Sequence, residues 1–314
     1  MARSNSRQLA IPDAAAQAPP LIRPSAFRAV LISLRPHQWS KNAFVFAALI
    51  FAQRLFDPRA VATSVAAFLV FCALSGAVYL VNDIADRKAD QLHPLKRMRP
   101  IAAGTLSVPT AAAVAVVLGT LAVGAAFALG WRFGVTAAVY LGLMLLYSGP
   151  LKHIVILDVL TVSIGFVLRA AAGAIVLDVV FSHWLLVCTT LLALFISLAK
   201  RRHELVLLAS TAVPHRPILS EYSPYLLDQM IGVVTASTLI AYIFYTISPE
   251  TIEKFGTNWL GLTIPFPLYG IFRYLYLVHQ REGGGSPADL LLTDRPLLAC
   301  VTLWVIAVVL ILYV

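Results

Sequence analysis

Along the chain, long apolar runs alternate with short polar breaks from Asn42 to the C-terminus. Nine such runs, at 43–56, 61–82, 109–130, 133–148, 154–177, 183–199, 226–247, 258–278 and 296–314, approach the ~20 residues that cross a bilayer as helix. The first and fourth are short, which predicts tilted or partly re-entrant helices. The two-residue alternation of a membrane barrel is absent, and an open sheet would leave backbone groups unpaired in lipid. The pattern therefore predicts an all-α polytopic membrane protein with nine transmembrane helices in a single domain over residues 41–314. Residues 1–40 read differently: polar, basic and proline-containing, without the continuous apolar core of a signal peptide, they are expected to form a mobile cytoplasmic tail.

Composition sharpens this reading. With 60% hydrophobic and only 12% charged residues, the chain cannot build a water-facing surface, which excludes soluble, disordered, collagenous and coiled-coil classes. Cys72, Cys188 and Cys300 all sit inside apolar runs without CxxC spacing, so neither a zinc site nor a disulfide framework is indicated. The net charge of +9 points to phosphate ligands or an anionic leaflet, with no signature of nucleic-acid binding.

Positive charges orient the spans. With the N-terminus inside, six cations precede the first span, and the cytoplasmic side also receives Arg87, Lys88, Lys96, Arg97, Arg99, Lys152, Lys200, Arg201, Arg202, Arg216, Arg281 and Arg295. Only Arg54, Arg59, Arg132 and Lys254 fall on the other side, and Val314 ends outside. The three longest polar stretches, 83–108, 200–225 and 279–295, are all cytoplasmic, and Gly283-Gly284-Gly285 marks the third as a flexible connection. Chemistry is expected on that face.

The densest motif is Asn82-Asp83-Ile84-Ala85-Asp86-Arg87-Lys88-Ala89-Asp90. On a helix, Asp83, Asp86 and Asp90 share one face, where three carboxylates repel unless a cation sits between them. Hard oxygen ligands at this spacing suit Mg²⁺, which bridges a few carboxylates to substrate phosphates; the competing reading is a solvated helix end with Arg87 and Lys88 as counterions. His93 to Pro100 forms a loop stiffened by two prolines and bearing Lys96, Arg97 and Arg99, suited either to lipid headgroups or to closing over a bound polyanion. At the opening of the first span, Trp39 reads as an interfacial anchor and Lys41, beside Asn42, as a snorkelling charge. Tyr147, Lys152 and His153 offer a hydroxyl, an ammonium and an imidazole at a tight cytoplasmic turn. Asp158 and Arg169 lie on nearly the same face of the fifth span, about 16 Å apart along it, and either line an interior cleft or pair with other helices. Lys200, Arg201 and Glu204 at the end of the sixth span form a mixed-charge face that suits a phosphate or ribose.

At these residues the chain resembles the UbiA superfamily of intramembrane prenyltransferases, nine-helix bundles in which an NDxxDxxxD motif binds Mg²⁺ and a substrate diphosphate. Asn82 to Asp90 fits that motif at every fixed position. Four further stretches, RPHQWSKN, the continuation to QLHPLKRMRPIAAG, LKH with the span ending LRAAAG, and AKRRHEL, are most similar to decaprenyl-phosphate phosphoribosyltransferases. The second aspartate-rich DxxxD motif of aromatic prenyltransferases is missing, and basic Lys200 to Glu204 stands in its place. The resemblance implies Mg-dependent transfer of 5-phosphoribosyl from phosphoribosyl diphosphate (PRPP) to a polyprenyl phosphate, with release of diphosphate, in cell-envelope arabinan or glycan precursor synthesis. It implies an active-site cleft on the cytoplasmic side of a bacterial plasma membrane, with Asn82, Asp83, Asp86 and Asp90 catalytic and Asp83, Asp86 and Asp90 holding Mg²⁺. Lys96, Arg97 and Arg99 would close over the diphosphate. Lys200, Arg201 and Lys152 would anchor the 5-phosphate, Lys41 the acceptor phosphate, and Asn42, Tyr147, His153, Asp158, Arg169 and Glu204 complete the expected binding set. An aromatic prenyltransferase acting on a 4-hydroxybenzoate-like acceptor is the alternative in the same fold; a transporter would need acidic groups at mid-bilayer. Homo-oligomerisation is left open.

Overall fold

The structure is a computed structural model that describes residues 25–93, 95–180, 183–209, 217–280, 290 and 293–313. Among them there is no β-strand. The first 24 residues of the expected tail, together with Arg216, Arg281 and the triple glycine, lie outside the described residues.

The chain opens with α1 (Ala26–Ser33), capped by Ser25, whose side chain accepts from Arg28 N. A 3-10 helix, Pro36–Phe46, follows and passes into the short α2 (Ala47–Phe51). The first apolar run is therefore a broken entry segment rather than one long helix. Pro36 is at N1, and Arg35 before it takes a left-handed backbone, φ 51°, a conformation that costs a non-glycine residue energy. Then come α3 (Pro58–Ala85), α4 (Arg87–Leu92), α5 (Val108–Leu129), α6 (Trp131–Ser148), α7 (Leu157–Val176) and α8 (His183–Ala209). The chain closes with α9 (Pro224–Ile247), α10 (Pro249–Phe255), α11 (Pro265–Gln280) and α12 (Arg295–Tyr313). Helices α3, α5, α9 and α10 share one start signal: an Asp or Ser cap accepting a backbone N–H, then proline in the first turn.

Six helices, α3, α5, α6, α7, α9 and α12, are long and apolar enough to cross a membrane. The remaining expected spans take other forms. The run at 183–199 lies in α8, which continues as helix through the charged residues 200–204, and that at 258–278 is split between a 3-10 turn, Trp259–Thr263, and α11, because Pro265 cannot continue the preceding hydrogen bonding.

Packing organises the bundle into two halves. Val45, Phe71, Leu74, Phe133, Tyr140 and Ala172 belong to one core built by the entry segment, α3, α5, α6 and α7. Val159, Phe195, Leu198, Leu227, Tyr274 and Leu297 belong to the other, where α7 meets α8, α9, α11 and α12. The entry segment is pressed against α7 at Gly173, where a Cβ would lie 2.0 Å from the Val45 carbonyl oxygen; only glycine permits this approach.

Candidate active site

One stripe of α3 carries polar side chains down its length: Cys72, Ser75, Tyr79, Asn82 or Asp83, and Asp86, spaced by three and four residues. Its outer end and its middle build two connected networks.

At the outer end, α3 stops at Ala85 and α4 begins at Arg87, so Asp86 sits in the break with φ −89° and ψ 3°. The break divides the carboxylates. Asp83 and Asp90, only 2% and 4% exposed, both accept from Arg99 Nη1, at 3.2 and 2.7 Å. Asp83 Oδ1 also accepts from Arg35 Nη2. Asp86 turns away to Lys152 Nζ at 2.6 Å, and its other oxygen accepts from Asn82 at 3.1 Å. The expected stripe of three carboxylates is thus a pair plus a separate third, each balanced by a cation from another segment. Lys152 itself is buried in a 3-10 turn, Leu151–His153. Arg35 stacks over Tyr79 at 4.9 Å; burial pulls its pKa down, with Asp83 opposing.

Among the described residues no three His, Cys, Asp or Glu side chains gather round one point. Asp83 and Asp90 nevertheless converge on a single cationic nitrogen, and two hard carboxylates completed by substrate phosphates are an ordinary Mg²⁺ environment. The donor set fits a hard divalent ion at that point.

The loop after α4 folds back over this end. His93 Nδ1 accepts the backbone N–H groups of Leu95 and Lys96 at 3.2 and 3.3 Å. Burial, with Lys96 beside it, holds its imidazole below the ordinary pKa. Lys96 is half-buried and Arg97 exposed.

About 12 Å deeper along α3, eight residues from Asp83, the middle network is buried. Arg169 donates to Asn42 Oδ1 at 2.7 Å, Gly165 O at 2.9 Å and Tyr140 OH at 2.6 Å. Ser75 Oγ joins Asn42 and Tyr140 at 3.2 Å each. Arg169 and Asn42 are therefore brought together, as a clamp between α7 and the entry segment whose polar groups are spent inside the protein. Arg169 and Asp158 do not meet.

Asp158, fully buried, pairs with Arg201 at 2.7 Å, and Arg201 reaches Glu204 at 2.8 Å; Tyr147 hydrogen-bonds Arg201 as well. The second oxygen of Asp158 accepts from Tyr222 OH at 2.8 Å, and that hydroxyl accepts the Ile156 N–H at 2.7 Å. Burial raises the Tyr222 pKa to about 12, so the phenol stays protonated. Lys200 and His153 are exposed, and Lys41 is half-buried.

Arg35, Tyr79, Tyr222 and, on the inner network, Ser75 and Tyr140 are residues that sequence reasoning passed over. The Arg-Pro step was visible as a turn signal; nothing local marks Tyr222, whose partner lies 64 positions away.

An apolar cavity of about 920 Å³ is lined in part by the entry segment that begins beside the site. It runs from Ser40 and Phe44, on the 3-10 helix that begins beside Arg35, past Trp184 and Tyr242 to Thr251 and Lys254 on α10. Along α8 its lining runs from Trp184 to Ile196, about 18 Å of helix.

Comparison with known proteins agrees with this architecture. The profile of the UbiA prenyltransferase family matches residues 42–291. A UbiA homolog from Archaeoglobus fulgidus bound to GPP and Mg²⁺ superposes with a TM-score of 0.69 at 18% identity, over 91% of this chain and 100% of that one. The chain belongs to the UbiA prenyltransferase family and is a multi-pass membrane protein.

Within that family it is 34% identical to the decaprenyl-phosphate phosphoribosyltransferase of Corynebacterium glutamicum over 287 residues, 90% of this chain and 86% of the relative. The protein of the same name from Mycolicibacterium smegmatis is 34% identical over 290 residues, 87% and 89% of the two chains. The protein is an enzyme, a transferase of the decaprenyl-phosphate phosphoribosyltransferase type.

Proposed function

We propose that this protein transfers the 5-phosphoribosyl group of PRPP to the phosphate of a polyprenyl phosphate, releasing diphosphate, in the synthesis of a cell-envelope glycan precursor. The observation that carries this reading is a juxtaposition. A cluster of carboxylates and cations, centred on Asp83, Asp90, Arg35 and Arg99, stands at one end of the entry segment, and an apolar cavity that follows α8 for about 18 Å is lined by Ser40 and Phe44 on that same segment. One end suits phosphates and the other suits hydrocarbon.

Asp83 and Asp90, with Asp86 and Asn82 beside them, would hold Mg²⁺, which when bound offsets charge on the departing diphosphate. Arg99 reaches the same carboxylates from the overlying loop, and in this reading Lys96 and Arg97 of that loop would close over the diphosphate with it. Exposed Lys200 would hold the 5-phosphate, while Lys152 and Arg201, buried on Asp86 and Asp158, would add to the positive field of that arm; Tyr147, His153 and Glu204 would complete it. Lys41, next to the cavity mouth, would hold the acceptor phosphate. An ionised phosphate needs no general base, so positioning of two anions by cations is the work asked of these side chains. Asp158 and Arg169, with Asn42, act as framework in this reading. Basic Lys200 to Glu204, where an aromatic prenyltransferase needs a second acidic motif, favours a ligand with phosphate at both ends.

We place the carboxylate end, the N-terminus and the residue 1–40 segment on the cytoplasmic side of the plasma membrane and Val314 outside. The entry segment, α8 and α11 complete nine membrane-embedded segments within the catalytic domain 41–314. Membranes containing the protein are expected to convert labelled PRPP and polyprenyl phosphate into an organic-extractable product, and Asp83→Ala is expected to abolish that product while leaving a folded protein. Unchanged turnover by Asp83→Ala would overturn the assignment.

A further inference from the structure

Three carboxylates and three basic side chains meet at the outer end of α3: Arg35 and Arg99 on Asp83, Arg99 on Asp90, and Lys152 on Asp86. The sum of their formal charges is zero. Asp83 and Asp90 are too deeply buried for water to compensate them, so while ionised they need a cation standing on them. We infer that Arg35 and Arg99 are place-holding cations. In the absence of diphosphate they occupy the seat of the divalent ion on Asp83 and Asp90, and they move onto the diphosphate when metal and substrate bind. This rests on the proposed reading of these aspartates as metal ligands, and it adds an order to their use.

Two features support it. The geometry is that of a substituted ion: a single nitrogen, Arg99 Nη1, takes contacts from both buried carboxylates, as a metal ion would. The layering is right as well, because the arginine side chains are 20% and 25% exposed while the carboxylates beneath them are 2% and 5% exposed. The guanidinium groups therefore lie between the acids and the mouth of the site. They can turn outward toward an arriving anion, and their planar forks match phosphate oxygens. Lys152, itself buried on Asp86, has no such freedom.

Charge then dictates the order. A bare divalent ion would add two positive charges to a neutral, poorly hydrated cluster and meet both arginines. A metal–diphosphate complex brings the anion that draws the arginines away as the ion settles. Metal and diphosphate must each strengthen the other's binding, and by the same factor.

Purified full-length protein in lipid nanodiscs tests this without any turnover. Mn²⁺ alone is followed by its electron paramagnetic resonance signal, and radiolabelled inorganic pyrophosphate by equilibrium binding with and without Mn²⁺. For the wild type, Mn²⁺ is expected to tighten pyrophosphate binding by about tenfold or more, within the usual range for coupled sites. Arg99→Gln is expected to bind Mn²⁺ alone about tenfold more tightly than wild type and to lose most of the coupling, with Arg35→Gln following in the same direction. If Arg99→Gln does not fold, Arg35→Gln decides alone. Mn²⁺ and pyrophosphate binding that is coupled in the wild type, with neither variant gaining affinity for Mn²⁺ alone, overturns the place-holding role and leaves the metal assignment standing. No Mn²⁺ bound by wild type even with pyrophosphate removes both.

Discussion

Asp158→Ala isolates the buried ion pair behind the basic arm. The carboxylate is fully buried, with Arg201 Nη2 at 2.7 Å on one oxygen and the Tyr222 hydroxyl at 2.8 Å on the other. Removing it strands the Arg201 guanidinium in a buried position and takes the acceptor from a phenol that also caps the Ile156 N–H. Deleting one member of a buried pair costs about 3–5 kcal/mol. Glu204, still 2.8 Å from Arg201 Nη1 and 22% exposed, keeps part of the charge compensated, so the expected loss is at the lower end, about 3 kcal/mol. Tyr222→Phe leaves the Ile156 N–H without its acceptor and is expected to cost about 1–3 kcal/mol. Ile156 is a β-branched residue held at φ 69°, a rare conformation, so this variant is also expected to loosen the start of α7. Reversible unfolding in mixed micelles measures both losses. A double-mutant cycle with Arg201→Met gives the coupling: with the stranded charge removed, the double variant is expected to be about 1–3 kcal/mol less destabilised than the sum of the singles. An additive cycle, or an Asp158→Ala protein within about 0.5 kcal/mol of wild type, refutes the network as drawn.

Gly173→Ala places a methyl group against the Val45 carbonyl, which must then move with its segment; a loss of about 1–3 kcal/mol in stability and a fall in transferase turnover are expected, and a variant normal in both contradicts the close approach. Cys188→Trp fills part of the apolar cavity and is expected to raise KM for polyprenyl phosphate while KM for PRPP stays unchanged; equal KM values for the lipid would detach the cavity from the acceptor. Chelation of divalent ions is expected to stop turnover and added Mg²⁺ to restore it; full activity after exhaustive chelation would remove the metal from the reaction.

Hydropathy made most of the bundle legible. The runs at 61–82, 109–130, 154–177, 226–247 and 296–314 correspond to α3, α5, α7, α9 and α12 with shifts of a few residues at each end. It failed where something other than apolarity governs the backbone. The 3-10 helix that starts at Pro36 runs into the first run and leaves it only the short α2, Pro265 splits the eighth, and the helix carrying residues 183–199 runs on through Lys200 to Glu204 because helix formation does not end where hydrophobicity does. The aspartates were readable as a functional unit, since their spacing is local. Their counterions were not, because Arg35 to Asp83 and Lys152 to Asp86 span 48 and 66 positions and any of the 24 Lys and Arg residues could have been chosen. The break at Asp86 was likewise hidden: Asn82 to Asp90 contains no proline or glycine.

Helices α3 and α5 are both strongly apolar and stand side by side, yet 61% of the most apolar stretch of α3 is buried against 22% of that of α5. The lipid-facing helix can drift: a random exchange of one aliphatic residue for another on its outer surface changes nothing the protein depends on. On α3, the turns from Cys72 onward support either the buried clamp around Ser75 or the charged end, so a one-residue insertion ahead of them would misdirect both at once. Two stretches that look interchangeable in a hydropathy plot should therefore diverge sharply in a saturation mutagenesis screen, one tolerant along most of its length and the other almost nowhere.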